Sequence, residues 1–332
     1  MRPRHVSGSS QSYSLVDIRD GQNVIDWFPG DHPVMPAIIK HGPASLGKAT
    51  RGCGSCHLAN GKGRPENAQP GGLPAAYIIR QLEDFRLGFR RSADWRKPNT
   101  NTMANLAMAM SDEEILQAAQ YFSAIPWTTS WVRVVETDRV PTTKIVGNLF
   151  VATAIARTEP IAGRIIEVPQ DEEQAEVNRN SHSGFLAYAP IGSVKRGEDL
   201  ALTGGATYAG DQVVSRKTLA CTSCHGKDLM GIDDVPPLAG RSPSYMARQL
   251  YDFQRGTRSG AAGQLMKPVV AGLDEEDMVA ITAYIASRPP VRGFVPVVPA
   301  PRHQPPVIDT SSRRTDSESG TLAQDARLAV SP

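Results

Sequence analysis

The chain has 332 residues and carries 36 Lys and Arg against 34 Asp and Glu, a net charge of +2. That balance excludes the basic excess of a nucleic-acid-binding protein and leaves little long-range field to steer a charged partner. No apolar run approaches the ~20 residues of a membrane-spanning helix; the best, Val146 to Ala156, is interrupted by Gly147, Asn148 and Thr153. Aromatic residues make up only 6% while Gly (29) and Pro (26) are plentiful, so a chain long enough for two domains is short of large core side chains.

Residues 1–45 are rich in Pro and Gly, with Trp27, Phe28, Ile38 and Ile39 as apolar anchors, and read as an extension wrapping the domain that follows. Their start stays polar through Ser14 and shows no apolar stretch of a secretion leader. His32 and His41 are expected as surface or packing residues. Residues 46–126 form the first domain and open on Cys53-Gly54-Ser55-Cys56-His57, the C-x-x-C-H attachment signature of c-type haem. Two thiols three positions apart lie on one side of a helical turn and reach both vinyl groups of one porphyrin. The adjacent His then offers a ring nitrogen to the iron. A helix follows over Tyr77 to Phe85. Ser111 with Glu114 makes a capping box for a terminal helix, with Ile115, Ala118, Ala119 and Phe122 at helical spacing and Pro126 as its stop.

Residues 127–194 change texture. Trp131 to Val135, Lys144 to Thr153, Arg164 to Val168 and Phe185 to Tyr188 are β-branched or aromatic runs between turn residues, which predicts a small β-rich insert. The acidic run Asp171 to Glu176 is expected as a solvated loop. Residues 195–290 form the second domain around Cys221-Thr222-Ser223-Cys224-His225, and 291–332, rich in Pro, Ser and Arg without periodicity, are expected to be disordered.

The two domains are copies. Sliding the chain by 168 residues lays Cys53, Cys56 and His57 on Cys221, Cys224 and His225, Tyr77 to Phe85 on Tyr245 to Phe253, and Arg90 on Arg258. Tyr, Leu and Phe in this stretch suit one buried helix face. Each copy reads as helix, haem-binding turn, loop, helix, loop, terminal helix. The duplication argues against a lone redox dithiol. A four-cysteine zinc site, whose pairs stand about 15–20 residues apart, does not suit the 164 residues between Cys56 and Cys221. Further on the offset becomes 163, and Met103 falls on Met266, each eight residues before a helix cap, on the loop between two helices. Thioether sulfur is a soft ligand suited to iron, so Met103 and Met266 are the expected axial partners of His57 and His225. Methionine is also an ordinary core filler, and Met108 and Met110 lie close enough to Met103 to compete with it.

The second copy resembles the class I cytochrome c domains of the dihaem cytochrome c4 group. The resemblance rests on Cys221 to Gly226, on Pro236-Pro237-Leu238-Ala239-Gly240-Arg241, on Tyr245 to Arg258, on Met266 and on Asp274 to Ile285. It covers about half of the chain and implies a mainly α fold: two all-helical class I domains in tandem, separated by the β-rich insert and followed by the tail. It implies two covalently bound haem c groups with His/Met iron. It also implies that a Pro carbonyl, of Pro236 or Pro237, holds the proximal imidazole N–H. The first copy departs from the pattern: Leu58 replaces the Gly after the His, and Gln69-Pro70-Gly71-Gly72-Leu73 replaces the Pro-Pro-Leu-Ala-Gly run. Which Pro supports His57 stays open.

The parts outside the two domains look closer to dihaem cytochromes that accept electrons from periplasmic dehydrogenases. The expected function is electron transfer in the periplasm, from a dehydrogenase donor to an oxidase or cytochrome acceptor, without bond chemistry on a substrate. A cytochrome subunit of a dehydrogenase complex would share that chemistry. The alternative is a haem enzyme, such as a dihaem peroxidase or a sulfur-compound oxidase, which needs an open iron position and an acid–base group near it. Matching Met residues in both copies weigh against it.

Overall fold

The computed structural model describes residues 2–153 and 157–290. The tail expected to be disordered and the end of the Val146 to Ala156 run lie outside the described residues.

The extension begins with α1 (Leu15–Arg19), capped by Ser14, whose hydroxyl accepts from the Asp17 amide. Val6, Ile18, Trp27 and Phe28 form a small core of their own. Then α2 (Ala37–Lys40) sinks Ile38 and Ile39 into the core of the first repeat. The extension also reaches the insert: Trp27 Nε1 donates to the Asn178 carbonyl at 2.8 Å, and Arg4 pairs with Glu173 at 2.8 Å.

In the first repeat the expected leading helix is replaced by a 3-10 turn, Ala44–Ala49, broken at Gly47 (φ 51°). Pro43 and Gly47 interrupt any longer helix there. The attachment turn α3 (Gly54–His57) follows, then α4 (Ala75–Arg86), α5 (Pro98–Ala109) and α6 (Asp112–Ser123). The capping box at α6 forms as the sequence predicts. Ile78, Leu82 and Phe85 of α4 meet Ile115, Ala118, Ala119 and Phe122 of α6 in one cluster. Met103 lies within α5, not on a loop. Pro98 starts that helix at its first turn, where a missing N–H costs nothing, and no Gly interrupts residues 98–109.

The insert contains β1 (Val132–Glu136), β2 (Arg139–Pro141), β3 (Thr143–Val146), β4 (Leu149–Ala152), β5 (Thr158–Pro160), β6 (Ile166–Pro169) and β7 (Phe185–Ala189). The central sheet has the order β1-β7-β6, with β1 parallel and β6 antiparallel to β7. Two antiparallel ribbons, β2/β5 and β3/β4, lie between β1 and β6 in sequence. The acidic run is not a solvated loop throughout. It enters a π-helical turn, Glu173–Val177. Glu176, only 4% exposed, pairs with Arg64 at 2.7 Å and Arg19 at 3.1 Å. A buried carboxylate persists where cations this close offset its desolvation.

The second repeat runs α7 (Ser193–Thr203), β8 (Thr207–Ala209), β9 (Gln212–Ser215), α8 (Thr222–His225), α9 (Pro243–Gln254), a 3-10 turn Gly263–Met266, α10 (Lys267–Val270) and α11 (Glu275–Ser287). It is therefore not all-helical: an exposed hairpin, β8/β9, precedes its attachment turn. Gly197 lets α7 approach α11 closely, because a Cβ there would strike the Ala280 carbonyl.

The repeated Tyr-to-Arg segment is only partly a core face. Leu82, Phe85 and Phe253 enter the two cores, and the Tyr77 and Tyr245 rings lie against them. The two Tyr hydroxyls instead cross the junction between the repeats. Arg258 Nη2 donates to Tyr77 Oη at 2.7 Å, and Arg90 Nη2 donates to Tyr245 Oη at 2.8 Å. Main-chain bonds Arg91 N to Thr257 O and Ser259 N to Phe89 O, at 2.8 and 2.7 Å, tie the same seam.

Candidate haem-attachment sites

Each attachment turn is a single helical turn in which the His amide bonds back to the first Cys carbonyl, at 3.0 Å in the first repeat and 2.9 Å in the second. The chain then turns sharply. Gly63 N donates to His57 O and Gly231 N to His225 O, both at 2.8 Å. Both glycines sit at positive φ, +64° and +80°, where a side chain is strained. This turn brings a main-chain carbonyl, eleven residues on, under each imidazole.

His225 Nδ1 lies 2.9 Å from the Pro236 carbonyl, and His57 Nδ1 lies 2.9 Å from the Ala68 carbonyl. A carbonyl oxygen only accepts, so both rings carry their proton on Nδ1 and keep the Nε2 lone pair free. Such a bond sets tautomer and ring orientation in metal-ligating histidines. The support in the first copy thus comes from Ala68, not from a Pro. Burial pushes both histidines below their usual pKa, which favours the neutral, ligating form. Burial also pushes the Cys53 thiol up to about 12 and Cys221 up to about 11. Reactive dithiols depend on the opposite shift. All four thiols are unbridged.

Met103 and Cys53 pack against the same apolar cluster, and Phe122 of that cluster lies edge-on to the His57 ring at 6.0 Å. Met266 and Cys221 likewise share the cluster of the second repeat. Met108 is 58% exposed, while Met110 is buried at the end of α5. Met35, from the extension, also packs against the first cluster. The comparison of the two copies could not find it, because the extension has no counterpart. His41 is exposed, and His32 bonds to Asp26 and the Pro33 carbonyl.

The two turns differ in access. In the first, Gly54, Ser55 and His57 are buried. Arg179 Nη1 donates to the Ser55 carbonyl at 2.6 Å, and Asn60 Nδ2 donates to the Ser181 carbonyl at 3.1 Å, so the insert covers that turn. In the second, Ser223 and Cys224 are exposed.

The donor set fits haem c in both repeats: two thiols on one turn, an imidazole with free Nε2, a thioether on the same apolar cluster, and no cluster of three or more His, Cys, Asp or Glu suited to a bare metal ion among the described residues. The family model "Cytochrome c" matches residues 45–125 and 209–289. Cytochrome c-554(548) of Halomonas halodenitrificans is 34% identical over 82 residues, 24% of this chain and 99% of that protein. The "Thiosulfate dehydrogenase electron acceptor" of Stutzerimonas stutzeri is 26% identical over 242 residues, 72% of this chain and 80% of that protein. Cytochrome c4 of Pseudomonas aeruginosa is 23% identical over 249 residues, 74% and 88% of the two chains. The chain belongs to the cytochrome c family, as a dihaem member with one covalently bound haem c in each of two cytochrome c domains.

Proposed function

We propose that this protein is a periplasmic electron carrier that receives electrons from a dehydrogenase acting on an inorganic sulfur compound and passes them to a downstream oxidase or cytochrome. Cys53 and Cys56 hold one haem and Cys221 and Cys224 the other. His57 with Met103, and His225 with Met266, would hold the iron of each. The bound haem supplies a one-electron iron couple. The chain does the rest. Ala68 and Pro236 hold the imidazoles in one tautomer and orientation, and the two apolar clusters keep water from the thioether side. With a His and a Met of the chain on each iron, no position would be left for a substrate, which suits transfer without bond chemistry.

The observation that carries the reading is the matched geometry of the two repeats: the same Nδ1-to-carbonyl bond, and a thioether and a cysteine on one cluster in each. The sulfur-compound donor is supported by the name of the Stutzerimonas relative. The test is an absorption spectrum of the matured protein, with haem counted per chain and the near-infrared sulfur-to-iron band recorded in the oxidised form. Two low-spin haems are expected, with half of the band lost in Met103→Ala and half in Met266→Ala. Loss in Met35→Ala with none in Met103→Ala would transfer the first ligand role to Met35. A high-spin haem in the unaltered protein would turn the reading toward an enzyme.

A further inference from the structure

Arg241 is 5% exposed, and its guanidinium is satisfied by three main-chain carbonyls instead of a carboxylate. Nε donates to Pro237 O at 2.8 Å, Nη1 to Gln69 O at 2.5 Å and Nη2 to Gly71 O at 3.0 Å. Its charged face lies 4.3 Å from the centre of the Trp127 ring, whose Nε1 donates to Ala239 O at 3.3 Å. Burial pulls its pKa down to about 9, so it stays charged at neutral pH.

Two of the three carbonyls stand next to the ones that hold the imidazoles. Gln69 follows Ala68, which accepts from His57, and Pro237 follows Pro236, which accepts from His225. The next residue reinforces the clamp: Ser242 N donates to the Gln69 side-chain oxygen at 2.6 Å. The residue opposite Arg241 in the first copy is Leu73, so one guanidinium serves both loops.

Resting on the axial roles proposed above for His57 and His225, we infer that Arg241 is a positioning residue common to both haem sites, holding both proximal loops and raising both haem potentials together. A cation one peptide unit away draws electron density from the Ala68 and Pro236 acceptors. Each imidazole N–H is then gripped less strongly, and the ring donates less to the metal. The oxidised centre carries one more positive charge than the reduced one. A buried cation with no carboxylate among its hydrogen-bond partners in the described residues disfavours it directly, through a medium of low dielectric. Both effects favour the reduced state, and both reach the two sites at once.

The test is a spectroelectrochemical titration of the full-length dihaem protein carrying Arg241→Met or Arg241→Lys. The Met variant is expected to lower both midpoint potentials while both haems and the near-infrared band remain. The Lys variant, which keeps the charge, falls less at both. Unmoved potentials in the Met variant, or a shift confined to one haem, overturn the inference. Equal shifts in the two variants overturn it as well, since charge would then play no part. Arg241→Gln, uncharged but still an N–H donor, replaces the Met variant if that one does not assemble. Absence of histidine ligation in the unaltered protein would instead refute the ligand assignment beneath it.

Discussion

Arg90 and Arg258 stand opposite each other in an antiparallel bridge, and each sends its guanidinium into the other's repeat. Arg90 also donates to Gln81 Oε1 at 3.0 Å and Gln249 Oε1 at 2.9 Å, while Arg258 donates to the same two oxygens at 2.6 and 3.2 Å. Two buried cations tolerate each other because both share these amide oxygens and lie over Phe85 and Phe253, at 4.6 and 4.3 Å. Arg258→Met strips Tyr77 and Gln81 of a charged donor and is predicted to cost about 2–4 kcal/mol in denaturant unfolding. The double variant with Arg90→Met should cost more than the sum of the single variants, since each shared acceptor keeps one donor until both are gone. Additive costs would show two independent contacts.

Gly231→Ala is predicted to damage the second site through its proximal loop. The residue sits at φ +80°, and an added Cβ would meet the Val235 carbonyl and approach Pro237 N to 2.9 Å. The left-handed backbone alone costs about 1–2 kcal/mol for a residue with a side chain. A lower unfolding midpoint is expected, with a broadened Nδ1–H proton resonance for His225. Gly63→Ala should do the same at His57, because its Cβ would strike the Ala68 carbonyl. Unchanged stability in both would show that the loops can open without loss.

Asp274 should make the protein sensitive to acid. A hydrogen bond from Lys217 and the amide of Asp277 pull its carboxyl down to about 2. The folded value lies below the unfolded one of about 3.9. Its contribution is therefore present above about pH 4 and lost as pH falls through about 2. Asp274→Asn keeps a good helix cap but removes the charge. It should lower stability at neutral pH and flatten the acid limb of a stability–pH curve. An acid limb identical to that of the unaltered protein would rule Asp274 out as its source.

Lys62 is buried among the first haem loop and the insert, 1% exposed, with no hydrogen-bond partner for Nζ and the Trp131 ring 4.1 Å away. Burial drives its pKa well below the usual lysine value. Lys62→Met keeps the length and removes the polar atom, and is predicted to stabilise by about 1–3 kcal/mol near neutral pH. The folded pKa is depressed, so the penalty shrinks as pH rises from that depressed value and is gone above the unfolded value of about 10.4. The gain should shrink over that range in urea titrations. A destabilised variant would mean that the contact with Trp131 outweighs desolvation.

The open second turn predicts unequal access to the two haems. In stopped-flow reduction by ascorbate, two phases are expected, the faster belonging to the haem of the second cytochrome c domain. Arg179→Ala, which removes the cap on Ser55, should speed only the slower phase. Equal rates for both haems would show that the cover over the first turn does not limit transfer.

The sequence alone determined the two C-x-x-C-H turns, because the motif places its three reactive side chains within one turn and needs nothing from the rest of the chain. It likewise determined the capping box at Ser111 and the β-branched runs of the insert, which are local patterns. It placed Met103 on the loop between two helices, yet Pro98 and packing against α4 carry a helix through it. The Ala68 and Pro236 supports were legible unequally. Pro marks its position, whereas a main-chain carbonyl on Ala leaves no trace in composition. Only the tertiary structure decided that Glu176 is buried, that Met35 reaches the first cluster, that Tyr77 and Tyr245 accept hydrogen bonds from Arg258 and Arg90 across the repeats, and that Arg241 joins both proximal loops. Those contacts link residues tens to nearly two hundred positions apart. Their energies come from desolvation and shared partners, which exist only once the chain has packed.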